Sequence, residues 1–286
     1  VDLYSARSRS SLAQSVAVLF DAPLQKVEND LVRIVEYLEE ERDRAFEEKE
    51  TGPRQLTEKE RNLGMELLPA LDMFDRIVED LSAIGYVGED LNKQLVYISA
   101  TTRKMKDPIS IMIVSQSASG KSLLVETVRK LMPPEDVVAV SSLSDQALNY
   151  IPEGGLLHKF LILGEAVHSE VVEHQIREML SNHELSRMVT TKNSKTGVME
   201  SRTVRTEVIV SAMMSSTRYD INPENASRCF VLNTDESRSQ TRNIHQAQQR
   251  KYTLSRIREK HSRVPEIIRQ HQAAQRLLKE RLIINP

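Results

Sequence analysis

The segment from Ile111 to Val128, IMIVSQSASGKSLLVETV, constrains the fold of this chain more than any other segment. Four apolar residues precede a loop of small and polar residues, and an amphipathic stretch begins at Leu123. This order is typical of a buried strand that leads through a loop into a helix. Because parallel strands need a helical crossover, the segment predicts an α/β domain.

The region between Pro108 and Glu236 repeats this alternation of strand-like and helical segments. Its β-rich runs cover residues 109–114, 137–140, 160–163, 208–212 and 229–232. Such alternation favours a mainly parallel sheet with helices on its faces. We therefore expect a P-loop, AAA+-like α/β core over residues 101–236, with its parallel sheet flanked by helices.

Helical periodicity dominates the remainder of the chain. Residues 1–50 carry an apolar stripe, Thr57 begins a capping box, and a further helix follows Gly88. After Ser237 the sequence is polar and helical, and we expect Pro265 to divide it into two helices. The predicted organisation is a helical N-terminal region (1–100), the core (101–236) and a basic helical C-terminal segment (237–286).

The loop after the first strand has the spacing of a phosphate-binding Walker A loop, GxxxxGK followed by Ser or Thr, with Ser115 at the first glycine position. Gly120 lets the backbone approach the phosphates, Lys121 would reach the β- and γ-phosphates, and Ser122 would offer a hydroxyl to Mg²⁺. Backbone N–H groups would hold the phosphates. The expected nucleotide-contacting residues of the loop are Ser115, Ser117, Ala118, Ser119, Gly120, Lys121 and Ser122. The alternative interpretation is a serine-rich turn with a chance GKS.

The run HKFLILGEA predicts a strand that ends at Gly164 and Glu165. Nucleotide hydrolysis needs an acidic residue near the metal, and Glu165 is placed to polarise the attacking water. We also expect Glu165 to be one of the residues that bind Mg²⁺. Gly164 stands where an aspartate is usual, and a water molecule or Glu170 would substitute for its support of the metal. A buried strand that ends in glutamate by chance is the alternative.

Residues 187–204 alternate polar and β-branched side chains on both sides of a turn, and this pattern predicts a β-hairpin. Lys192 and Lys195 lie at its tip. One interpretation is an ordinary surface hairpin with solvated lysines. The other is a hairpin whose lysines bind the phosphate backbone of DNA.

Two further positions suit a site that senses the γ-phosphate. The strand TEVIVSAMM ends in Ser215, Ser216 and Thr217, beside the expected acidic strand, where a γ-phosphate sensor is placed. Arg228 precedes the last strand, where an arginine can reach the γ-phosphate of a neighbouring subunit. A site that a neighbour completes implies a homo-oligomeric ring, which we expect to be a hexamer.

The order of these motifs resembles that of the AAA+ helicase clade with a hairpin before sensor 1, which includes archaeo-eukaryotic replicative and viral superfamily 3 helicases. Segments such as ISIMIVSQSASGKS and SRCFVLNTDESRSQTR are most similar to the ATPase module of bacterial DNA primase–helicase proteins, in which a CHC zinc finger and a Toprim unit precede the motor. The resemblance implies ATP, Mg²⁺, single-stranded or forked DNA, and a primase unit in the same or a neighbouring chain. It places the chain in a replication protein of a mobile or phage-like element.

Charge and composition narrow these hypotheses. The net charge of −2 does not favour nucleic acid, but residues 237–286 carry twelve Lys and Arg against three Glu. That basic segment is a solvated face, or it contacts nucleic acid or an acidic partner. The single cysteine, Cys229, excludes an internal disulfide and provides no zinc cluster. No apolar run is long enough to span a membrane and no signal peptide is recognisable, so we expect a cytoplasmic protein.

Two other function classes remain open from the sequence. One is an AAA+ ATPase that remodels a protein partner, with an activity indifferent to DNA. The other is a nucleotide-gated interaction module with little hydrolysis, which Gly164 makes plausible. The motif set is also that of an ATP-dependent DNA motor, and this is the function we expect.

Overall fold

The computed structural model describes residues 6–47, 56–117, 119–165, 169–192, 199–217, 223–250 and 252–280. The chain divides into two compact units, Val1–Gln55 and Leu56–Pro286. The first unit contains two helices, α1 (Ala6–Leu19) and α2 (Leu24–Glu47), joined by a short turn. Ala13 is fully buried within it.

The second unit contains the remaining helices and all the strands that are described. Its helices are α3 (Glu58–Met65), α4 (Met73–Ile84), α5 (Asp90–Thr102), α6 (Lys121–Leu131), α7 (Glu170–Asn182), α8 (Pro223–Ala226), α9 (Arg238–Arg250) and α10 (Leu254–Leu277). Its strands are β1 (Ile111–Val114), β2 (Val137–Val140), β3 (Leu157–Glu165), β4 (Glu184–Lys192), β5 (Met199–Glu207), β6 (Ile209–Ser216) and β7 (Phe230–Asn233).

A five-stranded parallel sheet with strand order β2-β3-β6-β1-β7 forms the centre of this unit. The four residues of β1 are all buried, as expected of a parallel strand covered on both faces. One hydrophobic cluster joins Ile113 and Phe160 to the helices on one face, and a second joins Met112 and Leu161 to α7 on the other. The predicted α/β class, with a parallel sheet flanked by helices, is confirmed.

Helices from both ends of the unit share one core with the sheet. Leu81 of α4, Val96 of α5 and Ile267 of α10 all belong to the cluster that contains Ile113. The division expected at residues 100 and 236 follows the change in sequence pattern along the chain. This division stays a prediction.

The capping box that the sequence predicts at Thr57 is present. The Thr57 hydroxyl accepts a hydrogen bond from the Glu60 N–H at 3.3 Å, and the Glu60 carboxylate accepts one from the Thr57 N–H at 3.0 Å. Two N–H groups at the start of α3 are thereby satisfied by side chains. The sequence therefore located the first helix of the larger unit correctly.

The helix break expected at Pro265 is wrong, because α10 continues from Leu254 to Leu277 through this proline. An internal proline removes one hydrogen bond and costs about 3 kcal/mol. Packing of the following turns offsets this cost, since Ile267, His271 and Gln275 are all buried. His271 also lies 2.9 Å from the Tyr97 hydroxyl, which fixes the helix against α5.

The hairpin is confirmed as an antiparallel pair of β4 and β5, with Glu184 opposite Glu207 and Lys192 opposite Met199. Its turn, residues 193–198, lies outside the described residues. The Val208 N–H donates to the His183 carbonyl at 2.8 Å, which closes the base of the hairpin next to the first residue of β6. The hairpin therefore begins at the amino edge of the parallel sheet.

Candidate nucleotide-binding site

The ends of three strands place predicted site residues at one edge of the sheet. Val114, the last residue of β1, lies opposite Ser216 of β6, and Glu165, the last residue of β3, lies opposite Ser215. The Ser115 N–H continues this pairing with a 3.2 Å hydrogen bond to the Ser216 carbonyl. The phosphate loop, the acidic residue and the polar end of β6 therefore meet at the carboxyl edge.

Lys121 is the first residue of α6 and is 6% exposed. Its ammonium nitrogen lies 2.6 Å from the carbonyl oxygen of Ser115 and 2.6 Å from that of Gln116. The charge is thus held inside the curve of the loop by two hydrogen bonds. An ammonium group has three N–H donors, so one remains for a phosphate oxygen.

Gly120 joins the loop to α6 in a backbone conformation that favours glycine. Its φ is +96°, a backbone conformation that residues with a Cβ rarely adopt. A Cβ at this position would also lie 3.9 Å from the ring of Tyr86, the buried aromatic residue behind the loop. Burial raises the pKa of the Tyr86 phenol and Glu89 adds to the effect, so the hydroxyl stays protonated beside the loop.

The remaining loop residues leave polar groups available to an anion. The Ser119 hydroxyl is buried, and within the described part of the chain it has no hydrogen-bond partner. Ser117 and Ser122 are exposed, and Ala118 lies outside the described residues. A buried hydroxyl without a partner is costly unless a ligand completes it. Together with the N-terminus of α6, which attracts negative charge, this fits a bound phosphate.

Ser115 replaces the first glycine of the loop pattern for a visible reason. Its hydroxyl accepts hydrogen bonds from the Thr234 N–H at 2.8 Å and the Thr234 hydroxyl at 2.6 Å, and donates to the Val114 carbonyl at 2.5 Å. Ser115 is 1% exposed, so these bonds form in the protein interior. The substitution ties the loop to the segment after β7 without blocking it.

Three more contacts join the end of β7 and the residues that follow it to neighbouring segments. The Gln116 N–H donates to the Glu236 carboxylate at 2.8 Å. The Asn92 amide donates to the Asn233 carbonyl at 2.9 Å, and the Gln240 amide donates to the Val87 carbonyl at 2.6 Å. These bonds tie the phosphate loop to the β7–α9 segment, and tie that segment to the α4–α5 loop and the start of α5.

Gly164 occupies the position where an aspartate is usual, and the local packing gives a reason for the glycine. A Cβ at Gly164 would lie 3.0 Å from the Ser141 carbonyl oxygen and 3.1 Å from the Ser141 Cα. The strand pairing shifts here as well, because Leu163 pairs with Met214 but Glu165 pairs with the next residue, Ser215. Glu165 therefore follows Leu163 directly in the register of the sheet, with Gly164 as an irregularity between them.

The predicted sensor residues lie at the end of β6. Ser216 is its last residue and Thr217 follows it, and both are half-buried. Ser216 contacts the phosphate loop through its carbonyl, as described above. This brings Ser216 and Thr217 to the loop, whereas Glu170 is an exposed residue at the start of α7.

Arg228 does not lie in the site of its own chain. It stands two residues before Phe230, the first residue of β7, whose N–H donates to the Ser110 carbonyl ahead of β1. This is the amino edge of the sheet, opposite the phosphate loop. The guanidinium donates to the Ser181 hydroxyl at 2.5 Å and to the Glu224 carbonyl, and the residue is exposed.

The predicted DNA-contacting lysines belong to the hairpin. Lys192 is the last residue of β4, and Lys195 lies outside the described residues. Since β4 and β5 leave the amino edge of the sheet, the hairpin is not part of the phosphate-loop site. Strand β6 links the two regions directly, from the base of the hairpin to the phosphate loop.

Sequence reasoning did not assign Tyr86, Thr234, Glu236 or Gln240 to the site. Thr234 and Glu236 belong to the segment SRCFVLNTDESRSQTR, which was noticed for its resemblance and not for a contact with the loop. Their position just after the last apolar strand, at the carboxyl edge, is the signal that could have found them. Tyr86 and Gln240 carry no comparable local signal.

The parallel sheet, with β6 between β1 and β3 and a glycine-lysine loop running from β1 into a helix, defines a P-loop domain. The family model described as the MTBMA_p00010 P-loop domain matches residues 58–280 of the 286-residue chain, and the chain belongs to this family. The match spans every element from α3 to α10. None of the curated proteins matches the chain. A P-loop domain implies nucleotide binding, which agrees with the geometry of the loop.

In the part of the chain that is described, no helix has both the length and the apolar character needed to cross a membrane.

Proposed function

We propose that this P-loop domain is an ATP-dependent DNA motor, a ring-forming ATPase that translocates on DNA as the helicase module of a replication protein. The observation that carries the proposal is the path of β6. Its first residue follows the base of the hairpin, and its last residues reach the phosphate loop. One short strand thus joins the region that would sense nucleotide to the region that would hold DNA.

ATP would bind at residues 115–122, where Lys121 and the backbone N–H groups at the start of α6 neutralise the phosphates. The Ser119 hydroxyl, buried without a partner among the described residues, supports a ligand at this place. Mg²⁺ would lie near the hydroxyl of Ser122 and the carboxylate of Glu165, and it would neutralise charge on the transferred phosphoryl group. Glu165 would also accept a proton from the attacking water.

The end of β6 is suited to report hydrolysis. Ser216 and Thr217 would bind the γ-phosphate and lose this contact when the phosphate leaves. The Ser216 carbonyl is bonded to the Ser115 N–H, so a shift at the loop bears directly on the strand. A parallel strand with neighbours on both sides moves as a rigid element, and β6 would carry the displacement to the hairpin.

Arg228 supports assembly into a ring, which we propose to be a hexamer. It lies at the amino edge, away from the phosphate loop of its own chain. If Arg228 stabilises the transition state, it would therefore do so at the site of a neighbouring copy. Lys192 and Lys195 of each subunit would then face DNA, single-stranded or forked, in the ring channel.

The wider setting of the protein follows from the same proposal. A primase unit in the same or a neighbouring chain would supply primers, and the protein would act in the cytoplasm on the DNA of a mobile or phage-like element. Gly164 favours a second candidate, a nucleotide-gated module with little turnover, because the Ser141 backbone leaves no room for a second carboxylate there.

The test is the steady-state ATPase rate with and without single-stranded DNA, beside the variant Glu165→Gln. We expect DNA to raise the rate, and the variant to retain ATP binding but lose turnover because an amide cannot accept the proton. An ATPase rate that ignores DNA would favour remodelling of a protein partner. ATP binding without turnover in the unaltered protein would favour the nucleotide-gated module.

A further inference from the structure

Tyr150 presents an aromatic ring to solvent beside the hairpin. It ends a short 3-10 helix, Ala147–Tyr150, and is 74% exposed. The guanidinium of Arg187, on β4, lies over one face of the ring, 4.7 Å from its centre. The high exposure of the residue means that the opposite face of the ring is open.

The segment that carries this ring is anchored to the core. Leu148 is 4% exposed and belongs to the hydrophobic cluster that also contains Met179 of α7. The Asn149 side chain donates to Gln146 at 2.8 Å and accepts from Gln175 of α7 at 3.4 Å. The ring is thus positioned by the burial of the neighbouring Leu148 and by the Arg187 guanidinium over one of its faces. Little conformational entropy would therefore be lost on binding.

The strand register places a second arginine on the same face of the hairpin. Arg187 lies opposite Val204 and Val189 lies opposite Arg202, so the two arginines are diagonal neighbours on one face. Arg202 is exposed. Arg205, by contrast, lies opposite Ser186 on the other face and is paired with Glu184 at 3.8 Å. One face of the hairpin therefore combines an open aromatic ring with two cations.

We propose that Tyr150 stacks one base of a single-stranded nucleic acid, with Arg187 supporting the ring from behind and Arg202 binding a neighbouring phosphate. A flat ring with one open face accepts any base, and nearby cations bind the backbone that the base belongs to. The proposal rests on the proposed function, since it adds a second contact to the strand that the hairpin lysines would hold. Tyr150 lies on a segment outside the hairpin itself.

The experiment is fluorescence anisotropy with a labelled oligothymidylate and with an abasic oligonucleotide of the same length, repeated with the RNA counterpart. Tyr150→Ala should weaken binding of the base-bearing strand by roughly 5- to 150-fold and leave binding of the abasic strand unchanged. Tyr150→Phe keeps the ring and should bind both strands as the unaltered protein does. Arg202→Ala should weaken both strands and lower the salt slope by about 0.7, with Arg205→Ala as its matched control.

The possible results distinguish a failure of the stacking proposal from a failure of the proposed motor function. Equal binding of the base-bearing strand by the unaltered protein and Tyr150→Ala would overturn the stacking site and leave the proposed motor standing. Equal losses on base-bearing and abasic strands would also overturn stacking, because the ring would then act only by positioning Arg187. An unaltered protein that binds neither strand would overturn both proposals. Thermal unfolding of each variant shows whether it is folded, and the exposed position of Tyr150 predicts no loss of stability.

Discussion

The ammonium group of Lys121 donates a hydrogen bond to the Ser115 carbonyl over 2.6 Å and so joins the last turn of the phosphate loop to its first residue. A second bond of equal length goes to the Gln116 carbonyl. The ammonium group is therefore already buried within the loop before a phosphate binds. Preorganised charges of this kind bind anions with little further loss of conformational entropy.

Lys121→Ala is expected to weaken ATP binding by roughly tenfold or more, because a hydrogen bond to a charged group contributes about 1.5–3 kcal/mol. Turnover should be lost as well. Isothermal titration calorimetry measures the affinity. Lys130→Ala is the matched control, since Lys130 lies on the same helix with a half-exposed side chain whose ammonium is 3.9 Å from the Glu126 carboxylate. Wild-type affinity in Lys121→Ala would remove the loop assignment.

Ser115→Gly restores the consensus loop pattern, yet we expect it to reduce stability. The Thr234 N–H and hydroxyl both bond to the Ser115 hydroxyl in the interior, and the variant leaves them without this acceptor. An unsatisfied buried donor costs about 1–3 kcal/mol, which urea unfolding can measure. Ser117→Gly is the control, because Ser117 is an exposed serine of the same loop. Equal stabilities of the two variants would contradict the role given to Thr234.

Gly164→Asp is expected to destabilise the protein and not to raise ATP turnover. The new Cβ would lie 3.0 Å from the Ser141 carbonyl oxygen, so the backbone of one strand must move. Overpacking of this kind costs about 1–3 kcal/mol. Ala139→Asp adds the same carboxylate at an exposed position of β2 and should cost less. Faster hydrolysis in a stable Gly164→Asp protein would show that an aspartate fits there after all.

Local patterns predicted the elements of this fold because the strands of the parallel sheet contain short apolar runs, the hairpin strands alternate polar and β-branched residues, and the phosphate-loop residues follow one another in sequence. The loop residues, the strand that ends at Glu165 and the hairpin were all visible in this way. Contacts between distant segments were not. Thr234 lies 119 residues from Ser115, and no periodicity links the two positions.

The same limit explains the wrong prediction at Pro265 and the glycine at position 164. The helix continues through Pro265 because distant helices bury the turns that follow it, and sequence pattern alone shows only the lost hydrogen bond. Gly164 stands where an aspartate is usual, and the close approach of Ser141 gives a packing reason for the glycine. Both cases depend on tertiary contacts that override local preference.

Arg228→Ala is expected to leave ATP binding intact and to reduce turnover in the assembled protein. The residue lies at the amino edge of the sheet, away from the phosphate loop of its own subunit. We therefore expect it to act at the phosphate loop of a neighbouring subunit. Mixing Arg228→Ala with Lys121→Ala subunits tests this, because some interfaces then combine an intact loop with an intact arginine. Those mixtures should recover ATPase activity. If no mixing ratio restores any activity, Arg228 acts within its own subunit or not at all.

The final prediction concerns the hairpin lysines, which decide whether the ATPase is a DNA motor. Each lysine that neutralises a phosphate adds a salt-dependent increment, and log affinity falls against log salt by about 0.7 per contact on a single strand. Lys192→Ala combined with Lys195→Ala should therefore weaken DNA binding, flatten the salt dependence and lower DNA-stimulated turnover. Calorimetric ATP affinity shows that the double variant is folded.

The basic C-terminal segment is the main competitor for this role, and the fold determines how it can be tested. Removing it would expose the core, because Ile267 and Ala274 of α10 are buried. Arg238→Ala combined with Arg242→Ala changes only exposed residues of α9 and is the better comparison. In a salt titration by fluorescence anisotropy, we expect the hairpin variant to lose affinity and slope and the α9 variant to lose less. The reverse order would assign DNA binding to α9. Unchanged binding in both variants would show that neither the hairpin lysines nor these α9 arginines bind DNA.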